Sequence, residues 1–316
     1  MASGSEGGFW LPPQGSTAAG GVDGLFDFIY WLNVFFFVLI TGAVVYFVMK
    51  YKRKSDDQLA TSQVGHNTLM EATWTFVPLI LVIVIFAWGF RTYLNLTVAP
   101  EGAYQVKVTG QKWSWNFTHP DGTVNTGELH VPANRPVKLL LSSRDVIHSF
   151  FVPDFRIKQD AVPGRYTTAW FQAKAAGEHQ VFCTEYCGKD HSAMLAKVLV
   201  LSEEEFDAGK WKVSKPPEGM SVADWGGDLY NKVGCKACHS VDGSKLVGPS
   251  FKGLFGREEK IQGQDPVMVD ENYLRESIMD PQAKIVEGFA PAMPSYKGQL
   301  DDAKIDAIIE YIKTLK

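Results

Sequence analysis

Four side chains with sulfur or nitrogen donor atoms lie within twelve residues of this sequence: Cys183, Cys187, His191 and Met194. On a continuous helix, positions at these spacings would share one face. Gly188 and the strand-like HQVF before the first cysteine favour instead a loop that follows a strand. Thiolate, thioether and imidazole ligands together select copper over magnesium, calcium or manganese.

A second imidazole could come from His148, which lies at the end of an apolar strand in RDVIHSFFVPDF. A single blue-copper site uses one cysteine, two histidines and a weak methionine, so this set has one cysteine too many. Two thiolates could instead bridge two copper ions, each capped by one histidine. A Cys183–Cys187 disulfide in an exported domain and a structural zinc site are the alternatives, although zinc leaves Met194 unexplained.

The segment CKACH is the C-x-x-C-H pattern of covalent c-type haem attachment. Cys235 and Cys238 would form the thioethers, and His239 would be the proximal iron ligand. A methionine is expected as the distal ligand, because Met/His ligation raises the haem potential into the electron-transfer range. Met293 in APAMPSYKG is the first candidate. Two further methionines are weaker candidates: Met268 and Met279.

Two long apolar segments precede these motifs and must be accommodated by the fold. The first, Leu25–Met49, exceeds the ~20 residues that a spanning helix needs. The second, Thr73–Leu94, has aromatic residues at both ends, as interfacial anchors do. A pair of buried helices in a soluble core is the alternative, but neither segment has the polar face usual in soluble helices. The basic KYKRK between them predicts a cytoplasmic loop, with the N-terminus and everything after Leu96 on the opposite side.

After Leu96 the sequence changes to short alternating runs with Gly and Pro between them, such as AYQVKVTG and TTAWFQA. This spacing predicts an all-β sandwich or small barrel. Segments such as LDDAKIDAIIEYIKTLK near the C-terminus have helical periodicity and predict a small α domain. The net charge is −4 and no segment carries a basic block of the kind that binds phosphate backbones, so nothing indicates a nucleic-acid partner.

The quoted motifs, taken together, carry a family resemblance. HSFFVPDFRIKQDAVPGR with CTEYCGKDHSAM, after a two-helix hairpin and the aromatic GQKWSWNF, resembles cytochrome c oxidase subunit II, which holds the binuclear copper centre CuA. Residues 217–316 resemble a class I cytochrome c fused to it, as in haem-c-containing bacterial oxidases. The resemblance implies a multidomain membrane protein with these parts: an irregular N-terminal tail (1–24), a transmembrane helical hairpin (25–96), a cupredoxin-like CuA sandwich (97–201), a linker (202–220) and an all-α cytochrome c domain (221–316).

The same resemblance implies roles for individual residues. The implied CuA ligands are His148, Cys183, Glu185, Cys187, His191 and Met194. Glu185 would contribute its backbone carbonyl to copper and its side chain to a magnesium ion at the subunit I interface. Trp113 matches the aromatic residue at which electrons arrive, although it also suits the core of the sandwich. Glu71 matches an acid at the mouth of a proton channel, and it also completes a T-x-x-E capping box with Thr68.

The function implied by the resemblance is electron transfer from a c-type haem through CuA to subunit I, where oxygen is reduced to water with proton translocation. The implied partners are subunit I, other oxidase subunits, the membrane and an upstream donor, either cytochrome c or a quinol-oxidising complex. The implied location is the bacterial inner membrane, with the CuA and cytochrome domains on the periplasmic side. Three alternatives are the CuA subunit of a nitric-oxide reductase, a membrane-tethered electron carrier and a copper chaperone, although a chaperone would lack Met194 and the fused haem.

Overall fold

The computed structural model describes residues 9–59, 62, 64–212 and 215–316. These residues form two compact units. One contains residues 9–17 together with Ala99–Lys316, and the other is Ala18–Val98.

The smaller unit consists of two long helices, α1 (Ala19–Tyr51) and α2 (Thr68–Thr97). Their most apolar 18-residue windows have mean hydropathies of 2.3 and 2.2, and both helices are long enough to cross a membrane. They contact each other through Phe28 and Trp88, whose ring centroids lie 5.6 Å apart. The first helix begins at Ala19, six residues before the predicted start at Leu25. The added segment, AGGVDG, forms more than one helical turn and contains no proline that would interrupt it.

The start of α2 corrects the predicted capping box. Asn67, not Thr68, is the N-cap residue, and its Oδ1 accepts a hydrogen bond from Met70 N at 3.1 Å. Glu71 Oε1 accepts from Asn67 N at 3.4 Å and lies 2.9 Å from His66 Nδ1. The Thr68 hydroxyl contacts His66 Nε2 instead. Asparagine is at least as good an N-cap as threonine, so the box with Thr68 is wrong by one position.

Among the described residues of the larger unit, ten strands form two five-stranded sheets with the orders β3-β2-β1-β5-β8 and β4-β10-β9-β6-β7. The strands are β1 (Tyr104–Gln111), β2 (Ser114–Thr118), β3 (Val124–Thr126), β4 (Glu128–Pro132), β5 (Val137–Ser143), β6 (His148–Val152), β7 (Ile157–Ala161), β8 (Thr167–Phe171), β9 (Gly177–Cys183) and β10 (Leu195–Leu201). Trp115 and Phe150 meet edge to face in the core with their ring centroids 5.3 Å apart. The predicted sandwich is confirmed.

The C-terminal region is helical, as predicted. Its regular elements are α3 (Glu203–Asp207), α4 (Val222–Lys232), β11 (Glu258–Glu259), β12 (Val267–Met268), α5 (Glu271–Met279) and α6 (Asp302–Thr314). Helices α4 and α6 cross closely at Gly226, where any Cβ would clash with the carbonyl of Ala307. Apolar side chains such as Leu229, Leu274 and Ile308 form a core separate from that of the sandwich.

The first half of the predicted linker is anchored to the sandwich. Trp211 stacks on Phe206 with centroids 5.0 Å apart and contacts the rings of His119 and His130 at 4.4 and 5.5 Å. Residues 213 and 214 of the linker lie outside the described part of the chain. Because the first half packs on the sandwich, the segment that can act as a linker to the helical domain is much shorter than the predicted 202–220.

Buried polar contacts join the sandwich to the helical domain. Asn116 Nδ2 donates to Gln299 Oε1 at 2.6 Å, and Lys304 Nζ donates to Val124 O at 2.9 Å. Asn116 and Gln299 are each 3% exposed. Because buried polar groups are costly unless they are paired, these contacts specify one arrangement of the two domains.

Candidate metal and haem sites

Four of the predicted metal ligands converge on the loop between β9 and β10. Cys183 is the last residue of β9, and its Sγ lies 3.8 Å from Cys187 Sγ. Cys187 Sγ lies 3.4 Å from His191 Nδ1 and 3.8 Å from Met194 Sδ. A short 3₁₀ turn, His191–Ala193, brings the imidazole and the thioether back towards the thiols. The two sulfur atoms are too far apart for a disulfide, whose S–S length is about 2.05 Å.

The fifth ligand, His148, reaches the thiols from a neighbouring strand. It is the first residue of β6, which pairs with β9 so that Phe150 lies opposite Cys183. His148 Nδ1 lies 3.9 Å from Cys183 Sγ. The ligand atoms of His148, Cys183 and Cys187 all lie within 4.8 Å of one another, and all three side chains are buried.

Asp145 orients this histidine, and the sequence reasoning missed it. His148 Nε2 donates to Asp145 Oδ1 at 2.9 Å, which leaves Nδ1 directed at the thiols. The other carboxylate oxygen accepts from Lys112 N at 2.8 Å. Burial opposes ionisation of Asp145, but the bonds from His148 and Lys112 outweigh it and lower the pKa to about 2. The sequence does contain a signal for this partner. Asp145 lies three positions before His148, and a ligating histidine commonly donates its other ring N–H to a carboxylate.

The two thiols differ in acidity. Burial disfavours both thiolates, but the hydrogen bond with His148 lowers the pKa of Cys183. Burial and the charge of Cys183 together raise the pKa of Cys187. The carbonyl oxygen of Glu185 accepts from Cys183 Sγ at 3.3 Å, whereas the Glu185 side chain is exposed. Two thiols, two imidazole nitrogens, a thioether and a carbonyl therefore meet in one place, and this donor set fits copper.

The C-x-x-C-H motif lines a cavity in the helical domain. Cys235, Cys238, His239 and Met293 all contribute to its wall. Of the three candidate methionines only Met293 does so, and Met268 is 59% exposed on β12.

The cavity suits an imidazole that ligates iron through Nε2. His239 Nδ1 donates to Pro249 O at 2.8 Å, so Nε2 is the nitrogen left for a ligand. Burial lowers the pKa of His239, which favours the neutral form that binds metals. A Cβ at Gly248 would lie 2.6 Å from His239 Cε1, so only glycine fits beside the ring. Two unpaired thiols, a neutral imidazole and a thioether in one cavity fit a covalently attached haem.

Trp113 lies between the two sites. A Cβ at Gly188 would be 3.1 Å from Trp113 Cζ2, and one at Gly234 would be 3.5 Å from Trp113 N. Gly188 directly follows Cys187, and Gly234 directly precedes Cys235. Trp113 is also half-buried against the sandwich core, so its core position and its place between the sites are compatible. Glu71 belongs to the helical unit at the start of α2, and its predicted role at a proton channel stays a prediction.

Three family models match successive parts of the chain. The model for the transmembrane domain of cytochrome c oxidase subunit II matches residues 4–92, and that for its periplasmic domain matches residues 123–201. A cytochrome c model matches residues 223–316.

Individual relatives give the same result over longer stretches. Cytochrome c oxidase subunit 2 of Alkalihalophilus pseudofirmus is 30% identical over 322 residues, which cover 97% of this chain and 90% of the relative. The Synechocystis sp. protein of the same name is 29% identical over 254 residues, covering 66% of this chain and 76% of its own. A crystal structure of the periplasmic domain of subunit II of cytochrome oxidase from Bradyrhizobium japonicum is 31% identical, with 36% of this chain and 94% of that chain covered and a TM-score of 0.35.

Proposed function

Because the chain belongs to the cytochrome c oxidase subunit II family and ends in a cytochrome c domain, we propose that it is the subunit through which electrons enter a haem–copper terminal oxidase. Electrons reach the C-terminal domain, pass to the copper-binding sandwich and leave for subunit I. Oxygen is reduced to water in subunit I, with proton translocation. The chain itself supplies the route to that reaction.

One observation carries this proposal: Trp113 lies beside Gly188 and Gly234, the glycines that flank the two chemical motifs, at 3.1 and 3.5 Å from where a Cβ on each would be. The loop of the copper donor set therefore approaches the indole of Trp113, and the haem-attachment motif approaches its backbone, within one compact unit. A domain that merely shared a chain with the sandwich would not need this contact. The arrangement supports transfer between the two sites without a diffusing carrier.

The residues that would hold each group follow from the donor atoms. CuA, a pair of copper ions, would be held by His148, Cys183, Glu185, Cys187, His191 and Met194, with Glu185 acting through its carbonyl. Haem c would be attached to Cys235 and Cys238, and its iron would be held by His239 and Met293. When bound, these groups supply one-electron redox centres. The protein keeps the ligating nitrogens free, since Asp145 takes Nε2 of His148 and Pro249 O takes Nδ1 of His239.

Subunit I and other oxidase subunits are the partners, and the donor is cytochrome c or a quinol-oxidising complex. The two long helices span the bacterial inner membrane, and both folded domains lie on its periplasmic side. The exposed Glu185 side chain is free to reach a magnesium ion at the subunit I interface. Trp113 receives electrons for CuA, and Glu71 serves at the mouth of a proton channel.

The test is to purify the complex, identify its subunits by mass and record optical and electron paramagnetic resonance spectra. We expect a co-purified polytopic haem subunit, two copper ions per chain with a mixed-valence signal, and haem that stays attached after denaturation. Cys187→Ser should abolish the mixed-valence signal, while Cys235→Ala should alter only the haem. A single-copper blue spectrum would refute the binuclear assignment. Isolation without any haem-bearing partner would indicate a tethered carrier, and turnover with nitric oxide but not oxygen would indicate a reductase.

A further inference from the structure

A chain of hydrogen bonds runs from the sandwich to the loop that carries Met293. Thr126 Oγ1 donates to Asn116 Oδ1 at 2.7 Å, and Asn116 Nδ2 donates to Gln299 Oε1 at 2.6 Å. Gln299 Nε2 then donates to Ser295 O at 2.8 Å, two residues after Met293. The chain thus connects strands β2 and β3 to the wall of the haem cavity.

The direction of each bond in this chain is fixed. The backbone carbonyl of Ser295 can only accept, so Gln299 must present its NH₂ group there. Its Oε1 therefore faces Asn116, which must present its own NH₂ group. The remaining oxygen of Asn116 accepts from Thr126. Neither amide can be turned over without breaking a buried bond.

The loop is held within the helical domain after the methionine, where Tyr296 N donates to Ile278 O at 3.1 Å and Tyr296 Oη donates to Val233 O at 3.2 Å, but it has few restraints at the methionine itself. Pro291 and Pro294 have no N–H to donate. The carbonyl of Met293 accepts only a long bond, 3.4 Å from Gln282 Nε2. Ser295 Oγ donates to Met279 O at 2.6 Å and holds the loop to α5. The Gln299 bond is the restraint that comes, through Asn116, from the other domain.

We propose that Asn116 is a positioning residue for the distal ligand: by holding Gln299, the sandwich fixes the loop that presents Met293 to the haem cavity. This inference rests on the proposed role of Met293 as a ligand of the haem iron. Docking of the two domains and ordering of the distal ligand are then coupled, so that each favours the other. Loss of the contact loosens Met293, and the haem potential falls because the thioether ligand is what raises it.

The experiment uses the full-length haem-loaded protein and compares Asn116→Asp with Glu128→Gln. The aspartate is nearly isosteric, but at neutral pH it offers only acceptor oxygens to Gln299. Gln299 must then turn its NH₂ group towards the carboxylate, and Ser295 O loses its donor. The Lys232–Glu128 ion pair also joins the two domains, at 2.9 Å, but it reaches α4 rather than the Met293 loop, so Glu128→Gln is the matched control.

In Asn116→Asp we expect alkaline loss of the methionine–iron absorption band to begin about one pH unit lower, a tenfold shift in the ligation equilibrium. Backbone hydrogen exchange at residues 293–299 should accelerate in the same variant. Glu128→Gln should change neither quantity. Gln299→Glu, which accepts from Asn116 but cannot donate to Ser295 O, should reproduce the Asn116→Asp result.

The inference is overturned if both acidic variants keep the wild-type titration and exchange, or if Glu128→Gln shifts them equally. If one acidic variant fails to fold, the other decides. Absence of attached haem from the unmodified protein would refute the proposed function. In that case the hydrogen exchange of the loop would still decide whether Asn116 positions it.

Discussion

Replacement of Lys304 by methionine tests whether the helical domain is fixed on the sandwich or merely tethered to it. Lys304 lies in the first turn of α6 and is 7% exposed. Its Nζ donates to Val124 O at 2.9 Å and lies 3.2 Å from Asp301 Oδ2. Methionine keeps most of the aliphatic stem but cannot donate, so Val124 O loses its partner while the domains are docked.

The expected magnitude follows from burial and charge. A hydrogen bond from a charged donor is worth about 1.5–3 kcal/mol, which corresponds to roughly a 10- to 150-fold shift towards the undocked state. Lys232→Met is the control, because the side chains of Lys232 and Glu128 are 39% and 32% exposed. An ion pair of that kind contributes about 0–1 kcal/mol, so the control should shift docking by no more than about fivefold.

Hydrogen exchange of the β3 amides measures the undocking equilibrium directly. Exchange should accelerate by the full factor in Lys304→Met and only slightly in Lys232→Met. Haem-to-copper transfer after flash reduction gives a second readout. In the wild type it should be one phase, independent of enzyme concentration and only weakly dependent on salt, and Lys304→Met should add a slower phase limited by redocking. Equal behaviour of both variants and the wild type would show that the buried contact does not hold the domain.

Three further predictions concern single side chains. Met194→Leu should retain copper with an altered potential, because a thioether is a weak ligand; complete metal loss on elemental analysis would contradict this. Met293→Ala should keep haem attached, lose the methionine–iron band and lower the potential in a redox titration, and an unchanged band would assign the ligand to another methionine. Burial lowers the pKa of His119 to about 4, whereas the unfolded chain protonates near 6.5. Stability of the sandwich should therefore fall by up to about 3 kcal/mol as the pH drops from 6.5 to 4. Thermal unfolding of His119→Gln should lack that part of the slope, and an identical slope would refute the assignment.

The sequence alone predicted the architecture and most of the candidate site, because those features depend on residues that are close together in the chain. A long apolar run specifies a spanning helix, alternating runs specify strands, and C-x-x-C-H needs only five adjacent residues. The spacing of Cys183, Cys187, His191 and Met194 likewise keeps these side chains close in the chain, so a single loop can bring them together. His148, predicted as the second imidazole from its place at the end of an apolar strand, lies beside them although it is 35 positions before Cys183.

Other features could be decided only by the tertiary structure. The sequence favours Met293 over Met268 and Met279, but the turns around each methionine determine which side chain points inward, and the structure places Met293 in the cavity wall. At the start of α2, Asn67 and Thr68 are both residue types that cap helices well, and only the structure shows that the helix begins after Asn67.

Contacts between the domains are the clearest case. Asn116 and Gln299 are 183 positions apart, and no motif around either residue predicts a contact with the other. Their bond exists because two separately folded cores present complementary amides at one buried surface. Local sequence determines which elements form, whereas a hydrogen bond between distant elements depends on how all of them pack together.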